Sequence, residues 1–335
     1  MDPTTGDLSL AHTVPGILNP TYLTVDAQCE YVYAINAVPE LDGVPGGGLN
    51  AFAIDRQTGN LAFLNRQSTR GAGPAFVTVD RGRRLALTAN YHGGSITALP
   101  ILNDGSLLPA SAFIQHHGSS VNPTRQTAPH CHSINYSPDE RFAIVCDLGL
   151  DRVMVYRVDF ATGSLTLEVA AGADAHPGSG PRHLAFHPNG RFAFVINEIG
   201  NTITSYTYDT ATGALREVET VPTLPAGWNG ENTAADIHVL PSGRFLYGSN
   251  RGHDSIVIYA VDAATGHLSY VGHESTRGKT PRNFVIDPTG RLLLAANQDS
   301  ENIVIFQIDP NSGSLQPTGE AACPSPVCLK IAPIG

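Results

Sequence analysis

Long apolar runs are missing from this 335-residue chain. No segment approaches the roughly 20 consecutive apolar residues of a membrane-spanning helix, so no membrane is expected as a partner. The opening stretch MDPTTGDLSLAHTVPG lacks the basic and apolar regions of a secretory signal, and the expected location is the cytoplasm. Basic charge is also scarce: 20 Lys and Arg stand against 30 Asp and Glu, a formal net charge of −10. Nucleic acid is thereby excluded as an expected partner, because its binding needs basic surface to release counterions. An anionic small molecule would have to be held by a local cluster of arginines. Cysteine is sparse and odd in number, five in all, and only Cys131 with Cys146 and Cys323 with Cys328 lie near one another in sequence. That spacing is neither a metal-ligand pattern nor a disulfide framework, so free thiols are expected. No G-x-S-x-G elbow, P-loop or dinucleotide fingerprint is present, and no cofactor is expected.

What the chain has in quantity is turn residues, 34 Gly and 24 Pro, with 41% apolar content for a core. The length alone would suit two average domains, but propellers and large barrels use this much chain in one. Two motifs recur. The first is Asp-x-x-(Thr/Ser)-Gly-x-Leu, in DPTTGDL, DRQTGNL, DFATGSL, DTATGAL, DAATGHL and DPNSGSL, with LNDGSLL as a degenerate copy. Its glycines are Gly6, Gly59, Gly105, Gly163, Gly213, Gly266 and Gly313, spaced near fifty residues. The second is a turn, an arginine and an apolar strand, as in VDRGRRLALTAN, SPDERFAIVCD, HPNGRFAFVIN, LPSGRFLYGSN and DPTGRLLLAAN. Each repeat reads as four short antiparallel strands, the pattern of a propeller blade. Helical solenoids are disfavoured because Gly and Pro interrupt every 8 to 12 residues. A β-sandwich would not supply seven spaced copies of one turn.

The predicted fold is all-β: one seven-bladed β-propeller domain over residues 1–335, with four-stranded antiparallel blades. Counting strands from Gly6 gives a fourth strand, six full blades, and SPVCLKIAP as a lone first strand. Residues 7–13 and 324–332 would then be the outer members of a closing blade that lacks its two middle strands at the N-terminus. Either roughly the first 25 to 30 residues of the ancestral chain are lacking or closure is unusual; with a start site lost or misassigned, a longer chain is expected to melt at a higher temperature.

In such blades the start of strand one and the end of strand two share a rim. The segments there are TAPHCHS, GSGPRH, GENTAADIH, GKTPRN, ANYHGGS, CDLGLDR, INEIGN, SNRGHDS and ANQDSEN. They differ between repeats and are rich in His, Arg, Glu, Asp and Asn, whereas the opposite rim receives the repeated turns. Within GPRHLAFHPNGRFAFVINE, Leu184, Phe186, Phe192, Phe194 and Ile196 alternate about a Pro-Asn-Gly turn. This hairpin brings Arg182 and Glu198 to one sheet edge, within about two residues of level.

Arg182 and Arg251 are candidate anion holders, since guanidinium grips carboxylate or phosphate bidentately; the alternative for each is a salt bridge to Glu198 or Asp254. Arg282, in TPRN, is a third candidate. Arg191, Arg244 and Arg291 follow the repeated turns and are expected to be structural. Glu198 is either a general base or an ordinary turn carboxylate. His130 and His132 flank Cys131, with both rings expected on one side of the strand, for acid/base or hydrogen-bonding roles or as buried histidines. Asp236 and His238 alternate in AADIH and are expected to line a cavity, with Asp236 suited to orienting an arginine. Aromatics are few in these loops, Tyr91 and Trp228 being exceptions, which disfavours a protein-docking platform.

These stretches, with APHCHS, DLGLDRVMVY, TPRNFVIDPTGRLLLAANQDSENIVIFQID and SPVCLKI, resemble the seven-bladed propeller lactonase family, which includes the propeller-type 6-phosphogluconolactonases and the fungal 3-carboxy-cis,cis-muconate lactonising enzyme. The resemblance implies hydrolysis of 6-phosphoglucono-1,5-lactone to 6-phosphogluconate without a metal. Its implied catalytic residues are Glu198, His132, Arg182 and Arg251, with His130 as the alternative histidine. His130, Asp236, His238 and Arg282 are the further candidates around the substrate, a sugar lactone or a carboxylated lactone. A muconate-type cycloisomerase or a non-catalytic platform is the alternative. In INAVPE, Ala37 stands where the family more often has a glutamate.

Overall fold

A computed structural model describes residues 1–2, 5–168 and 171–333. Among these residues the regular structure is β, arranged as a β-propeller architecture of four-stranded antiparallel blades. The first three sheets are Leu23–Val25, Tyr31–Asn36, Gly48–Ile54 and Leu61–Ser68; then Pro74–Val79, Leu85–Asn90, Ser95–Pro100 and Ala112–Gln115; then Cys131–Tyr136, Phe142–Asp147, Arg152–Asp159 and Ser164–Leu167. The next three are Pro181–Phe186, Phe192–Asn197, Thr202–Tyr208 and Leu215–Pro222; then Thr233–Val239, Phe245–Arg251, Ser255–Val261 and Leu268–Ser275; then Pro281–Ile286, Leu292–Asn297, Asn302–Ile308 and Leu315–Ala322. Short strands Glu40–Leu41 and Val44–Pro45 form a hairpin inside the first blade, and Ala173–Asp174 pairs with Arg152–Asp159 in the third.

The chain divides into two compact units, Leu10–Gly180 with the residues from Ala332 onward, and Met1–Ser9 with Pro181–Ile331. Within the second unit, Phe192, Phe194, Ile196 and Ile203 pack with Ile237, Leu246, Val257 and Tyr259 between its first two blades. Phe245, Tyr247, Ile256, Ile258, Phe284, Leu293, Val304 and Phe306 do the same between the next pair. The alternation of strand side chains thus buries both faces of the middle blade, which explains its nearly continuous apolar strands.

The Thr-Gly motif is a turn with a carboxylate at its centre, and so is the turn–arginine motif where it begins with Asp80 or Asp287. In the Thr-Gly turn, Asp209 Oδ1 accepts from the Ala211 amide and the Gly213 amide bonds back to the Asp209 carbonyl. In the turn–arginine motif, Asp287 Oδ1 accepts from the amides of Arg291 and Leu292, pinning the start of the return strand. That turn needs a left-handed residue, supplied by Gly190, Gly243 and Gly290 at φ 70°, 77° and 71°. The arginines of the motif span to the neighbouring Thr-Gly turn: Arg191 bonds the Ala264 carbonyl, and Arg244 those of Pro310 and Asn311. This is the structural role expected for them.

The chain ends depart from expectation. Neither 7–13 nor 324–332 forms a strand. Instead Leu8, Leu329 and Ile331 pack on Leu292, Leu294, Ile303 and Ile305, covering the outer face of the last sheet in their unit. These segments bury side chains without joining a ladder.

Candidate active site

The pairing of strands one and two is interrupted at the same place in five blades, by a bulge that sets two residues against one. The residues passed over are Ala75, His132, Arg182, the pair Ala235 and Asp236, and Arg282. A bulge re-aims the side chain it carries. One backbone device, repeated from blade to blade, therefore presents His132, Arg182, Asp236 and Arg282, half of the candidate residues.

Arg182 and Glu198 meet as the hairpin predicts. Pro181 pairs with Asn197, and Arg182 Nε donates to Glu198 Oε2 at 2.9 Å. Arg251 Nη2 lies 3.0 Å from the same oxygen, so both arginines take the salt-bridge alternative with Glu198. Asp254 is not the partner; it accepts from the amides of Gly252 and Thr280. Arg182 is only 2% exposed, and its Nη1 also donates to the Ala235 carbonyl at 2.6 Å. Arg251 is less deeply set, donates to the carbonyls of Thr233 and Ala234, and lines a pocket of ≈ 580 Å³ with Glu231, Asn232, Thr233, Gly252 and Thr280. Burial pushes the Arg182 guanidinium down to about 9, and the neighbouring cations Arg251 and Arg282 push the same way. Arg182 remains charged at neutral pH. Arg182 and Arg251 thus share one oxygen of Glu198, and Glu198 and Asp236 favour the charge on Arg182 while Arg251 and Arg282 oppose it.

Asp236 sits behind Arg182, 2% exposed. Its Oδ1 accepts from His183 Nδ1 at 2.7 Å and from the Ile237 amide at 3.0 Å. Its Oδ2 accepts from His238 Nε2, Asn283 Nδ2 and the Phe284 amide. Burial alone would raise this carboxyl, but His238, His183 and their hydrogen bonds hold it well below the usual carboxylate range. Asp236 is therefore an orienting group with its lone pairs engaged, and His238, partly exposed and edge-on to Phe284, is the more accessible of the pair.

In the other unit, both histidines of PHCHS lie against Tyr91: the His130 ring stacks on it at 4.6 Å and the His132 ring meets it edge-on at 5.3 Å. His130 Nδ1 bonds the Tyr91 carbonyl, and its amide donates to Asp147 Oδ1, which also accepts from the amides of Gly149 and Leu150. His132 is buried.

The family profile described as "Lactonase, 7-bladed beta-propeller" matches residues 1–331. The chain belongs to this family. It is 37% identical over 269 residues to the 6-phosphogluconolactonase of Bacillus subtilis, covering 80% of this chain and 74% of that one. With the 6-phosphogluconolactonase of Formosa agariphila it shares 35% identity over 285 residues, 84% of this chain and 79% of the other. Among solved structures, the periplasmic gluconolactonase PpgL of Pseudomonas aeruginosa superposes with a TM-score of 0.88 at 34% identity, over 98% of this chain and 91% of that one.

Two features of this lactonase escaped the sequence reading. One is His183, whose place beside Arg182 drew no separate notice. The other is a wholly buried cluster of His116, Cys131, Asp147 and Tyr156. His116 Nδ1 lies 2.7 Å from Asp147 Oδ2 and 3.2 Å from Cys131 Sγ, Cys131 Sγ is 3.4 Å from the same carboxylate oxygen, and the Tyr156 hydroxyl is 2.8 Å from His116 Nε2. The residue types are those of a metal site. The spacing is that of hydrogen bonds, since two ligands at about 2.0–2.2 Å around a tetrahedral zinc stand roughly 3.3 Å or more apart. A signal for it existed: the second strand carries Asn at or next to its last position, at 36, 90, 197, 250 and 297, and Asp at 147. All five cysteines are free thiols, and burial pushes Cys146 up to about 12, so it is inert at neutral pH.

Proposed function

We propose that the chain hydrolyses a sugar lactone bearing an anionic group, with 6-phosphoglucono-1,5-lactone as the first substrate to test and 6-phosphogluconate as the product. The observation that carries this reading is the pairing of two arginines, Arg182 and Arg251, on one oxygen of Glu198, beside a pocket of ≈ 580 Å³ that Arg251 lines. The names of the Bacillus and Formosa relatives point the same way. In this scheme water adds to the lactone carbonyl, the tetrahedral oxyanion forms, and the ring C–O bond breaks to release the hydroxy acid. Glu198 or His132 takes the proton from the attacking water and returns it to the departing ring oxygen, and no metal enters the scheme. Arg251, on the pocket wall, and Arg182 behind it hold the phosphate or the developing oxyanion, with Arg282 adding to the field. His238 contacts substrate, while Asp236 and His130 orient their neighbours. The same reading takes residues 1–335 as one seven-bladed propeller domain with an incomplete closing blade, acting in the cytoplasm.

The test is kcat/KM on the freshly generated lactone. Arg182→Ala and Glu198→Gln should each lose about a hundredfold or more, and Arg251→Ala, at a less buried site, should lose at least tenfold. A chelator should leave the parent rate unchanged. Values within about threefold of the parent for all three variants would overturn the assignment. Turnover of a carboxylated muconate lactone with none of the sugar lactone would move the substrate, not the site, because arginine grips carboxylate as readily as phosphate.

A further inference from the structure

Arg182 is a long side chain with many rotamers, and a buried guanidinium contributes to anion binding only if it is held in one of them. We propose that His183, a neutral imidazole oriented by Asp236, is a positioning residue that fixes the Arg182 guanidinium for the anionic part of the substrate. This rests on the lactonase reading above and adds to it a residue and a tautomer.

The geometry is a relay. His183 Nδ1 is 2.7 Å from Asp236 Oδ1, and His183 Nε2 is 3.2 Å from Arg182 Nη1. Arginine has only donors, so Nε2 must be the accepting nitrogen and Nδ1 must carry the proton. Asp236 can take that proton's hydrogen bond because its other donors, Ile237, His238, Asn283 and Phe284, hold the carboxylate in place. Arg182 is then tied at Nη1 by His183 and the Ala235 carbonyl, and at Nε by Glu198. Its Nη2 meets no acceptor among the described residues. That leaves one edge of the guanidinium for a ligand oxygen. The charged and titratable groups around His183 are Arg182 on its own strand, Glu198 beyond it, and Asp236 and His238 on Thr233–Val239. Burial pushes His183 down to about 4, and Arg182 adds to this while Asp236 opposes it. A protonated His183 would set an N–H against the Arg182 N–H groups and beside their charge, so the relay works only with the neutral ring.

Two measurements test it. Long-range 1H–15N correlation on ring-labelled protein, with His183→Gln to assign the signal, should show the Nδ1–H tautomer of His183 persisting as pH is lowered to about 5. An Nε2–H tautomer, or a ring charged at pH 6, overturns the proposal whatever the enzyme does. In kinetics, His183→Gln keeps an acceptor near the Nε2 position and should stay within about threefold of the parent, whereas His183→Phe should raise KM about tenfold or more with kcat changed less than threefold. Equal losses in Gln and Phe that follow their melting temperatures would mark a packing role and contradict it. Should His183→Phe fail to fold, Asp236→Asn carries the kinetic arm with the same expected rise in KM. A parent without lactonase activity would sink the functional reading and leave the tautomer measurement to decide the relay.

Discussion

At the scale of single residues, the site is a problem of unbalanced charge. Glu198 meets two guanidinium groups on one oxygen, and a third arginine lies near enough to disfavour the charge on Arg182. Desolvating two cations around one anion is costly unless a second anion arrives. Inorganic phosphate should therefore raise the melting temperature of the parent, by the equivalent of about 2.7 kcal/mol at a hundred times its Kd, and should do so far less in Arg251→Ala. No shift in the parent would contradict the anion site. Arg182 and Glu198 were legible in the sequence because a hairpin about a Pro-Asn-Gly turn fixes which residues meet, and Arg251 because it ends the matching strand of the next blade. His183 was not, because period-two alternation assigns it to the face opposite Arg182. The bulge at Arg182 breaks that alternation, and its side chain then comes within reach of Asp236 of the next blade.

At the scale of elements, the repeated turns are small carboxylate-centred hydrogen-bond systems. Backbone amides, and in Asp159 first the Thr162 hydroxyl, hold the carboxyls of Asp55, Asp159, Asp209, Asp262 and Asp309 below their ordinary value. A lowered folded-state value stabilises the fold above the unfolded value, near 3.9, and that stabilisation is lost as pH falls through the folded one. The urea midpoint should be flat from pH 7 to 5 and fall below about pH 4. Replacing all five by Asn, which keeps an accepting oxygen but cannot titrate, should make that acid slope shallower; an unchanged slope would contradict this account. In the packed layers between blades, Phe306→Ala should cost about 3–5 kcal/mol in urea unfolding, since the ring is fully buried among Phe245, Tyr247 and Phe284. These elements were the most legible part of the chain, because a fifty-residue repeat states the same turn chemistry seven times. The bulges were not legible, as the extra residue has no fixed sequence signature.

At the scale of the whole molecule, the repeat period led to the blade architecture, and family membership agrees with it. The chain ends were misjudged as strands because SPVCLKIAP and residues 7–13 carry apolar residues at alternating or near-alternating positions. Those residues cover the Leu292, Leu294, Ile303 and Ile305 face without ladder bonds. Periodicity reports burial, and a strand needs a hydrogen-bonding neighbour as well. The most direct measurement of the central claim follows the hydrolysis of freshly generated 6-phosphoglucono-1,5-lactone by the purified chain against the spontaneous rate. The account predicts acceleration that survives a chelator and disappears in Arg182→Ala, and a folded protein that leaves the spontaneous rate unchanged would contradict it.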